Sequence, residues 1–203
     1  MNIDIQSYRN EKMAVRIGVL ADFRLRCFRE FPYLYVGTAE NEREHLDEYL
    51  ANPTARLVVA KDVGENKTVG VAIGTLLSTE EEIVKQTGEQ LQRHGIVPER
   101  FFYFGEMIFE PEYRNRGIGR RMLEMLKNEG REQGADRFCF LAVAREADDV
   151  RRPVGHVDSS LIFEKFGFVK TPIFVTFEWP TIQPDGNVVK VANQLDLWID
   201  RQP

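Results

Sequence analysis

The sequence predicts an α/β fold with one mixed central sheet, antiparallel in its early strands and parallel in later ones. Two observations predict it. Strands and helices alternate in the second half of the chain, so that the strand Phe101–Phe109 crosses over a helix to the strand Arg137–Val143. The second of these strands is apolar at nearly every position, which is typical of a central strand covered on both faces.

The first elements are predicted from periodicity and capping signals. Ile3 and Ile5 alternate with polar residues, which indicates a short, half-buried strand. Apolar residues at helical spacing over Glu11–Arg29 predict one helix. Asn41, followed three residues later by Glu44, indicates the capping box of a second helix.

A β-hairpin follows, because two β-rich runs, Arg56–Asp62 and Thr68–Leu77, flank a Gly-Glu-Asn turn. Ser78 and Glu81 resemble another capping box, for a helix that runs to His94. The other predicted elements are helices over Gly117–Gln133 and Asp158–Phe166, and strands over Phe168–Lys170, Ile173–Trp179, Val188–Val191 and Leu197–Ile199. We expect one domain over residues 1–203, with a core to about residue 179 and a C-terminal extension over about 180–203.

The composition narrows the class of protein. Lys and Arg number 27 and Asp and Glu number 32, a net charge of −5, which argues against a nucleic-acid partner. We expect a cytoplasmic protein with no membrane partner, because no apolar stretch approaches ~20 residues and the first residues lack a secretory pattern. The three histidines have no metal-ligand spacing, so no metal is expected. Cys27 and Cys139 are expected to be buried, reduced thiols.

One stretch carries the pattern of an anion-binding site. A strand ends at Phe109, and two arginines and two glycines then open a helix: Arg114, Arg116, Gly117 and Gly119. The first amides of a helix have no intrahelical partner, and the helix dipole adds positive charge at that end. Glycines let the backbone approach a ligand closely. The stretch therefore predicts a pyrophosphate site.

Two well-known phosphate loops do not fit this stretch. The P-loop pattern G-x-x-x-x-G-K-[ST] is absent from the sequence. The dinucleotide fingerprint G-x-G-x-x-G fails because Met122 stands where the third glycine belongs, although Asp136 could take the ribose-binding position.

The sequence resembles the GCN5-related N-acetyltransferase (GNAT) family at these residues. The family's coenzyme motif, [Q/R]-x-x-G-x-[G/A], reads Arg114-Asn115-Arg116-Gly117-Ile118-Gly119 here. The resemblance covers the chain from the first strand to about Trp179. The sequence resembles one bacterial branch of the family, of undefined substrate, more closely than the rest. The segments that carry this closer resemblance are Phe31-Pro32-Tyr33-Leu34-Tyr35, Tyr103-Phe104-Gly105-Glu106, Arg152-Pro153 and Trp198.

The resemblance implies an acetyl-CoA-dependent N-acetyltransferase with splayed parallel strands at the coenzyme site. Acetyl-CoA, as co-substrate, would lie between Phe101–Phe109 and Arg137–Val143. The residues implied to bind it are Met107, Ile108, Phe109, Arg114, Asn115, Arg116, Gly117, Ile118, Gly119 and Arg120. A primary amine of a small molecule or peptide would attack the thioester directly in a ternary complex. An amide near Ile108 or Phe109 would polarise the thioester carbonyl.

The sequence departs from the family at two catalytic positions. Many members carry a Tyr, as proton donor to the leaving thiolate, where this chain has Phe163. Some members carry a Glu on the second splayed strand, where this chain has Ala142. Water, Ser159 or Ser160 would have to donate the proton, or the thiolate departs without help.

Glu106 is the best remaining candidate for the base that deprotonates the amine. It precedes Met107 in a segment of Phe, Tyr, Gly and Met, and apolar surroundings are expected to raise the pKa of a carboxyl group. Two other roles stay open for Glu106, namely binding the substrate and a structural bond to an arginine or to backbone amides.

Other candidates follow from position. Tyr33 and Tyr35 lie in the loop between the first helices, where the acceptor site of the family forms, so they either line that site or simply pack. His156 is either a base, a substrate contact or a solvated loop residue. His45 and His94 are expected on the surface. The tail suggests a possible homodimer contact.

Two rival functions remain at the level of sequence. A domain that binds acyl-CoA without catalysis, as a sensor or scaffold, would explain the missing Tyr and Glu. A nucleotide-binding oxidoreductase would instead bind NAD(P)H and be unaffected by acetyl-CoA.

Overall fold

The computed structural model of the chain describes residues 2–158 and 160–201. Its strands are β1 (Ile3–Tyr8), β2 (Arg56–Asp62), β3 (Lys67–Leu76), β4 (Phe101–Phe109), β5 (Arg137–Val143), β6 (Phe168–Ile182) and β7 (Val188–Asp200). They form one sheet in the order β1-β2-β3-β4-β5-β7-β6. Each neighbouring pair is antiparallel except β4 with β5, which is parallel. This mixed sheet confirms the predicted fold class.

Helices cover both faces of the sheet. They are α1 (Asn10–Ala14), α2 (Gly18–Cys27), α3 (Ala39–Ala51), α4 (Glu81–Arg93), α5 (Ile118–Glu132) and α6 (Ser160–Lys165). Met122 and Leu126 of α5 pack with Phe102 and Phe104 of β4 on one face. The opposite face is covered by α2 and α3 over β2 to β4 and by α4 over β5 to β7. Within the described residues, no helix has the length and apolar character of a membrane span.

The first predicted helix is wrong as a single element. The chain forms α1 and α2 with a turn at residues 15–17, where the amides of Arg16 and Ile17 both donate to the carbonyl of Met13, each at 2.8 Å. Val15, Ile17 and Gly18 all have low helix propensity, which explains why the helix breaks there.

Both predicted capping boxes are also wrong. Thr38 caps α3, because its side chain accepts from the Asn41 amide at 3.2 Å, so the helix begins before Asn41. Ser78 lies in a 3-10 helix, Leu77–Thr79, and α4 begins at Glu81 without a side-chain cap. Thr79 forms the local bond instead, donating to the Leu76 carbonyl at 2.7 Å.

The C-terminal strands are longer than the sequence predicts. Four predicted segments form two strands, β6 and β7, and β7 lies between β5 and β6. The predicted boundary near residue 179 falls inside β6, so residues of the proposed extension belong to the central sheet. Pro172 and Pro180 interrupt the pattern of β6, and the structure accommodates them because β6 is an edge strand.

The cysteines differ in exposure. Cys139 is buried in β5, as predicted, whereas Cys27 at the end of α2 is only partly buried. Both are free thiols.

The packing of α5 against β4 yields a test on two helical glycines. A Cβ at Gly130 of α5 would lie 2.7 Å from Cβ and Cγ of Phe102, whereas a Cβ at Gly88 of α4 would meet no atom within 4 Å. We expect Gly130→Ala to destabilise the protein by about 1–3 kcal/mol, because overpacking outweighs the gain in helix propensity. The matched Gly88→Ala variant should be more stable by up to ~1 kcal/mol. Urea unfolding of both variants measures the difference, and a stabilised Gly130→Ala protein would contradict this packing.

Candidate active site

The parallel strands β4 and β5 pair only over their first residues. Their register runs from Phe101 opposite Arg137 to Phe104 opposite Phe140. Beyond these pairs β5 continues along β7, with Val143 opposite Leu195. The space between residues 105–109 of β4 and 141–143 of β5 is called the wedge here. Its shape is the one predicted for two parallel strands that separate toward one end.

A β-bulge lies where the wedge begins. Ile73 of β3 pairs with Glu106 and Gly74 pairs with Phe104, so Gly105 is an extra residue in β4. The bulge places Tyr103 and Glu106 on the same face of the sheet, the face covered by α2, α3 and α4.

The backbone of β4 presents amides to the wedge. The Glu110 amide donates to the carbonyl of Val69 in β3 at 3.0 Å. Amide directions alternate along a strand, so the amide of Ile108 also faces β3, and those of Met107 and Phe109 face the wedge. Of the two amides expected near the thioester, the geometry therefore favours that of Phe109.

Backbone amides also converge at the N-terminus of α5. Asn115 and Gly117 have left-handed φ values of 60° and 76°, and Gly117 is the N-cap residue of α5. Because Gly117 has no side chain, the first amides of α5 receive no side-chain cap. Three exposed arginines lie around this turn: Arg114, Arg116 and Arg120. Uncapped amides, a helix dipole and guanidinium groups together suit a pyrophosphate.

The turn and the wedge are directly connected. Arg114 Nη2 donates to the Phe109 carbonyl at 3.4 Å, and a Cβ at Gly119 would lie 3.5 Å from the Phe109 ring. The guanidinium of Arg116 lies 5.6 Å from the centroid of the Tyr113 ring. These contacts join the wedge to the N-terminus of α5 through Phe109, Arg114 and Gly119. The side chains of Ile108 and Ile118 are buried, so only their backbone groups are available to a coenzyme. The role of the predicted coenzyme residues in binding stays a prediction.

Glu106 belongs to a buried cluster of charged side chains on the α2 and α3 side. Its Oε1 atom accepts from Arg24 and lies 2.9 Å from Nε2 of His45. Arg24 also donates through Nε to Oε2 of Glu42 at 2.6 Å, and the Tyr35 hydroxyl donates to Oε1 of Glu42 at 2.8 Å. The other oxygen of Glu106, Oε2, is buried and has no hydrogen-bond partner among the described residues.

The expected rise in the pKa of Glu106 is wrong. Burial raises the pKa of this carboxyl group, but Arg24 and His45 outweigh burial and hold the pKa below its ordinary value. The bond to an arginine is the one that a structural role predicted, while Oε2 keeps an unused capacity to accept a hydrogen bond. An ionised carboxylate with one unpartnered oxygen is chemically suited to accept a hydrogen bond from an ammonium group or from water.

His45 is not the free surface residue that the sequence predicted. Its side chain is 30% exposed and contacts Glu106 through Nε2, while Nδ1 lies 3.8 Å from Oε2 of Glu48. Burial lowers its pKa, but the carboxylates of Glu106 and Glu48 outweigh burial and raise the pKa to about 9. His94, the other histidine assigned to the surface, is exposed at the end of α4.

The two candidate tyrosines have different surroundings. Tyr35 is buried, and its hydroxyl is engaged with Glu42. Tyr33 stacks on Phe28 with ring centroids 4.0 Å apart, and its carbonyl accepts from Nε1 of Trp179 at 3.2 Å. A role for either tyrosine in substrate binding stays a prediction.

The position of the missing proton donor is apolar. The Phe163 ring packs 4.3 Å from that of Phe140 and 5.5 Å from that of Trp198. Ala142 lies opposite Asp196 in the β5–β7 pair. Ser160 begins α6, and Ser159 lies outside the described residues. His156 packs edge-on against Phe31 at 4.8 Å and lies 3.7 Å from Asp158.

Sequence reasoning missed Arg24, Glu42 and the role of His45. A signal was available, because Arg24 lies in the helical stripe of Leu20, Phe23 and Cys27. Likewise, Glu42 and His45 share a stripe with the buried Leu46 and Tyr49. Charged residues on the apolar face of two consecutive helices indicate a buried ion cluster.

The described residues therefore combine a mixed sheet with a wedge between its two parallel strands and an uncapped helix N-terminus next to that wedge. A model of the Acetyltransferase (GNAT) family matches residues 20–153, more than half of the chain. The chain belongs to the GNAT acetyltransferase family. A comparison with curated proteins found no match.

Solved structures share the fold at low sequence identity. A GNAT family acetyltransferase from Elizabethkingia anophelis with acetyl-CoA bound is 14% identical, with a TM-score of 0.53 and 99% of each chain covered. The ribosomal-protein-S18-alanine N-acetyltransferase from Escherichia coli is 14% identical, with a TM-score of 0.55, covering 98% of this chain and 93% of that one. The mosquito arylalkylamine N-acetyltransferase like 5b is 14% identical, with a TM-score of 0.59 and coverages of 98% and 99%.

The His45–Glu106 contact predicts a pH-dependent stability. The folded-state pKa of His45, about 9, lies above its ordinary value of 6.5. Protonated His45 should therefore stabilise the folded protein fully below pH 6.5, and this stabilisation should be lost as the pH rises through about 9. NMR titration of the His45 ring, assigned with a His45→Gln variant, measures this pKa. In Glu106→Gln the pKa should fall toward 6.5, and a wild-type value at or below 6.5 would contradict the contact.

Proposed function

We propose that this protein is an acetyl-CoA-dependent N-acetyltransferase that transfers an acetyl group to a primary amine by direct attack in a ternary complex. The observation that carries the proposal is the wedge, open between two parallel strands and leading to the uncapped N-terminus of α5. Family membership supports acyl transfer as the reaction.

In this proposal each part of the coenzyme has a matching surface. The pantetheine arm lies in the wedge along Met107 to Phe109, where it completes the open edge of β4 as a strand would. The pyrophosphate lies on the turn from Arg114 to Arg120. Left-handed φ values at Asn115 and Gly117 help to turn successive amides toward one point, as an anion requires.

Two parts of the reaction are assigned to named groups of the chain. The Phe109 amide polarises the thioester carbonyl, so negative charge on its oxygen is stabilised during attack. Oε2 of Glu106 accepts a hydrogen bond from the ammonium form of the acceptor and draws off its proton, directly or through water. A low pKa makes Glu106 a weak base, so holding and orienting the amine is the larger part of this proposed role.

A second candidate is an acyl-CoA-binding domain without catalysis. The observation that favours it is the absence of a proton donor at Phe163 together with Ala142 at the position of a second acid. It predicts binding of acetyl-CoA without thiol release in the presence of any amine, so the two candidates separate in a single assay.

The coenzyme site is tested by thermal unfolding with acetyl-CoA, CoA or NADH. A ligand at 100 times its Kd stabilises by about 2.7 kcal/mol. For a domain of this size the midpoint should rise by roughly 5–10 °C with acetyl-CoA and CoA, and stay unchanged with NADH. A shift with NADH alone would favour the oxidoreductase instead, and no shift with either CoA species would contradict the site.

Gly119→Asp serves as the matched variant in this experiment. Position 119 lies in the first turn of α5. A carboxylate there interacts favourably with the helix dipole and so stabilises the helix, but it repels a bound pyrophosphate. The variant should therefore unfold at or above the wild-type temperature without ligand and lose the shift with acetyl-CoA. A lower unfolding temperature without ligand would point to damage to the fold.

The proposed role of Glu106 predicts a change in turnover. Glu106→Gln keeps the shape of the side chain but removes the charge that holds the ammonium group. We expect kcat to fall at least tenfold, with the unfolding shift by acetyl-CoA intact, in an assay of thiol release with a panel of primary amines. Unchanged turnover in Glu106→Gln would remove Glu106 from the reaction.

A further inference from the structure

Arg24 of α2 joins two carboxylates that come from different elements. Its Nε atom donates to Oε2 of Glu42 on α3 at 2.6 Å, and its Nη1 atom donates to Oε1 of Glu106 on β4. The guanidinium group is planar and rigid, so the direction of one bond fixes the direction of the other. Neither carboxylate can turn away without breaking a charge-assisted hydrogen bond.

The guanidinium group of Arg24 is itself held in place. Its Cζ atom lies 5.2 Å from the centroid of the Phe28 ring and 5.7 Å from that of the Tyr35 ring. The Tyr35 hydroxyl also donates to Oε1 of Glu42 at 2.8 Å, which fixes the carboxylate that Arg24 contacts. The side chain of Arg24 is 14% exposed and that of Glu42 is 2% exposed, so solvent does not compete strongly for these bonds.

The pattern of bonds is not the one that charge neutralisation alone would favour. An arginine that only neutralises a buried carboxylate gains most by donating to both of its oxygens in parallel. Arg24 instead donates to one oxygen of each carboxylate, and Nε2 of His45 lies 2.9 Å from the same Oε1 atom of Glu106. Oε2 of Glu106 is buried and has no partner among the described residues, which is costly for a charged acceptor. A donor supplied by a ligand would satisfy it.

We propose that Arg24 is a positioning residue for the acceptor amine: by holding Oε1 of Glu106, it keeps Oε2 as the oxygen that accepts from the ammonium group. This inference rests on the proposed function, in which Glu106 holds and orients the amine. In this assignment Arg24 touches neither the amine nor the coenzyme. Glu42 and Tyr35 act one step further from the amine, because they hold Arg24.

The groups that face Glu106 make this role measurable. Burial raises the pKa of Glu106, but Arg24 of α2 and His45 of α3 together lower it by more. Three phenols also interact with Glu106, and burial raises the pKa of each, so they are neutral at neutral pH: Tyr33, Tyr49 and Tyr103. Removing the charge of Arg24 should therefore raise the pKa of Glu106, an effect that the loss of an ion pair elsewhere in the protein would not produce.

The test compares Arg24→Gln with Arg56→Gln in the assay of thiol release from acetyl-CoA, with the primary amine that turns over fastest in the panel. Arg56 is a matched control, because it is also a buried arginine, and it pairs at 3.1 Å with Glu129 of α5, on the opposite face of the sheet. In Arg24→Gln we expect kcat/KM for the amine to fall at least tenfold, with the KM for acetyl-CoA within twofold of wild type. The acid limb of its pH profile should move to higher pH, because Glu106 is then protonated at higher pH. Arg56→Gln should keep the wild-type kcat/KM and pH profile.

Arg24→Lys separates position from charge, and it covers the case that Arg24→Gln fails to fold. This variant keeps the positive charge, so the acid limb should stay near that of wild type. A single ammonium group lacks the rigid fork that fixes two carboxylates, so kcat/KM for the amine should still fall severalfold. Glu106→Gln should remove the acid limb altogether, which assigns that limb to Glu106.

Wild-type kcat/KM for the amine in Arg24→Gln or in Arg24→Lys would overturn the assignment. An equal loss of turnover in Arg24→Gln and Arg56→Gln, with the acid limb in place, would also overturn it, in favour of a structural role. A wild-type protein that binds acetyl-CoA but releases no thiol with any amine would overturn the proposed function itself, and this assignment with it.

Discussion

The parting of β4 from β5 after Phe104 and Phe140 is the constraint on which the site depends. A strand edge that loses its neighbour exposes amides and carbonyls, which need a partner. A bulge at Gly105 lies at the same point of β4. It shifts the register of β4 against β3 by one residue and brings Glu106 onto the face of the sheet that carries Tyr103. One extra residue at the start of the wedge thus redirects a carboxylate and leaves space for the hydroxyl of Tyr49 on α3.

The buried ion cluster fixes α2 and α3 to this bulge. Two cations, Arg24 and His45, face two carboxylates, Glu42 and Glu106, so the cluster as a whole is close to neutral. Burying charges is costly unless they are paired and hydrogen-bonded, and each of these four groups has such a partner. The unpartnered Oε2 of Glu106 is the exception. A buried acceptor without a partner costs free energy in the ligand-free protein, and a ligand with an N–H group would recover that cost on binding.

The sequence predicted the central strands well, because burial on both faces leaves a continuous apolar run. Arg56–Asp62, Phe101–Phe109 and Arg137–Val143 have their predicted bounds. Predictions that depend on one local signal failed, as at Asn41 and Ser78, because several residues near a helix start compete to cap it. The ion pairs of the buried cluster join residues that are 18, 61 and 82 positions apart in the sequence. The apolar stripes of α2 and α3 therefore indicate that charged side chains are buried, but no local pattern shows which of them pair. The coenzyme motif is contiguous in sequence and was therefore visible.

The strand β7 supports β5 where β5 runs along the wedge. The family match ends at residue 153, before α6, β6 and β7. Where β5 leaves β4, it gains a full antiparallel partner in β7, from Cys139 opposite Ile199 to Val143 opposite Leu195. That pairing commits one edge of β5, and the other edge of residues 141–143 faces the wedge. The outer strand β6 is protected in turn, because Gln86 of α4 exchanges two hydrogen bonds with the backbone of Thr176 and the amide of Val36 donates to the carbonyl of Pro180. The C-terminal hairpin therefore stabilises β5 beyond the point where β5 no longer pairs with β4.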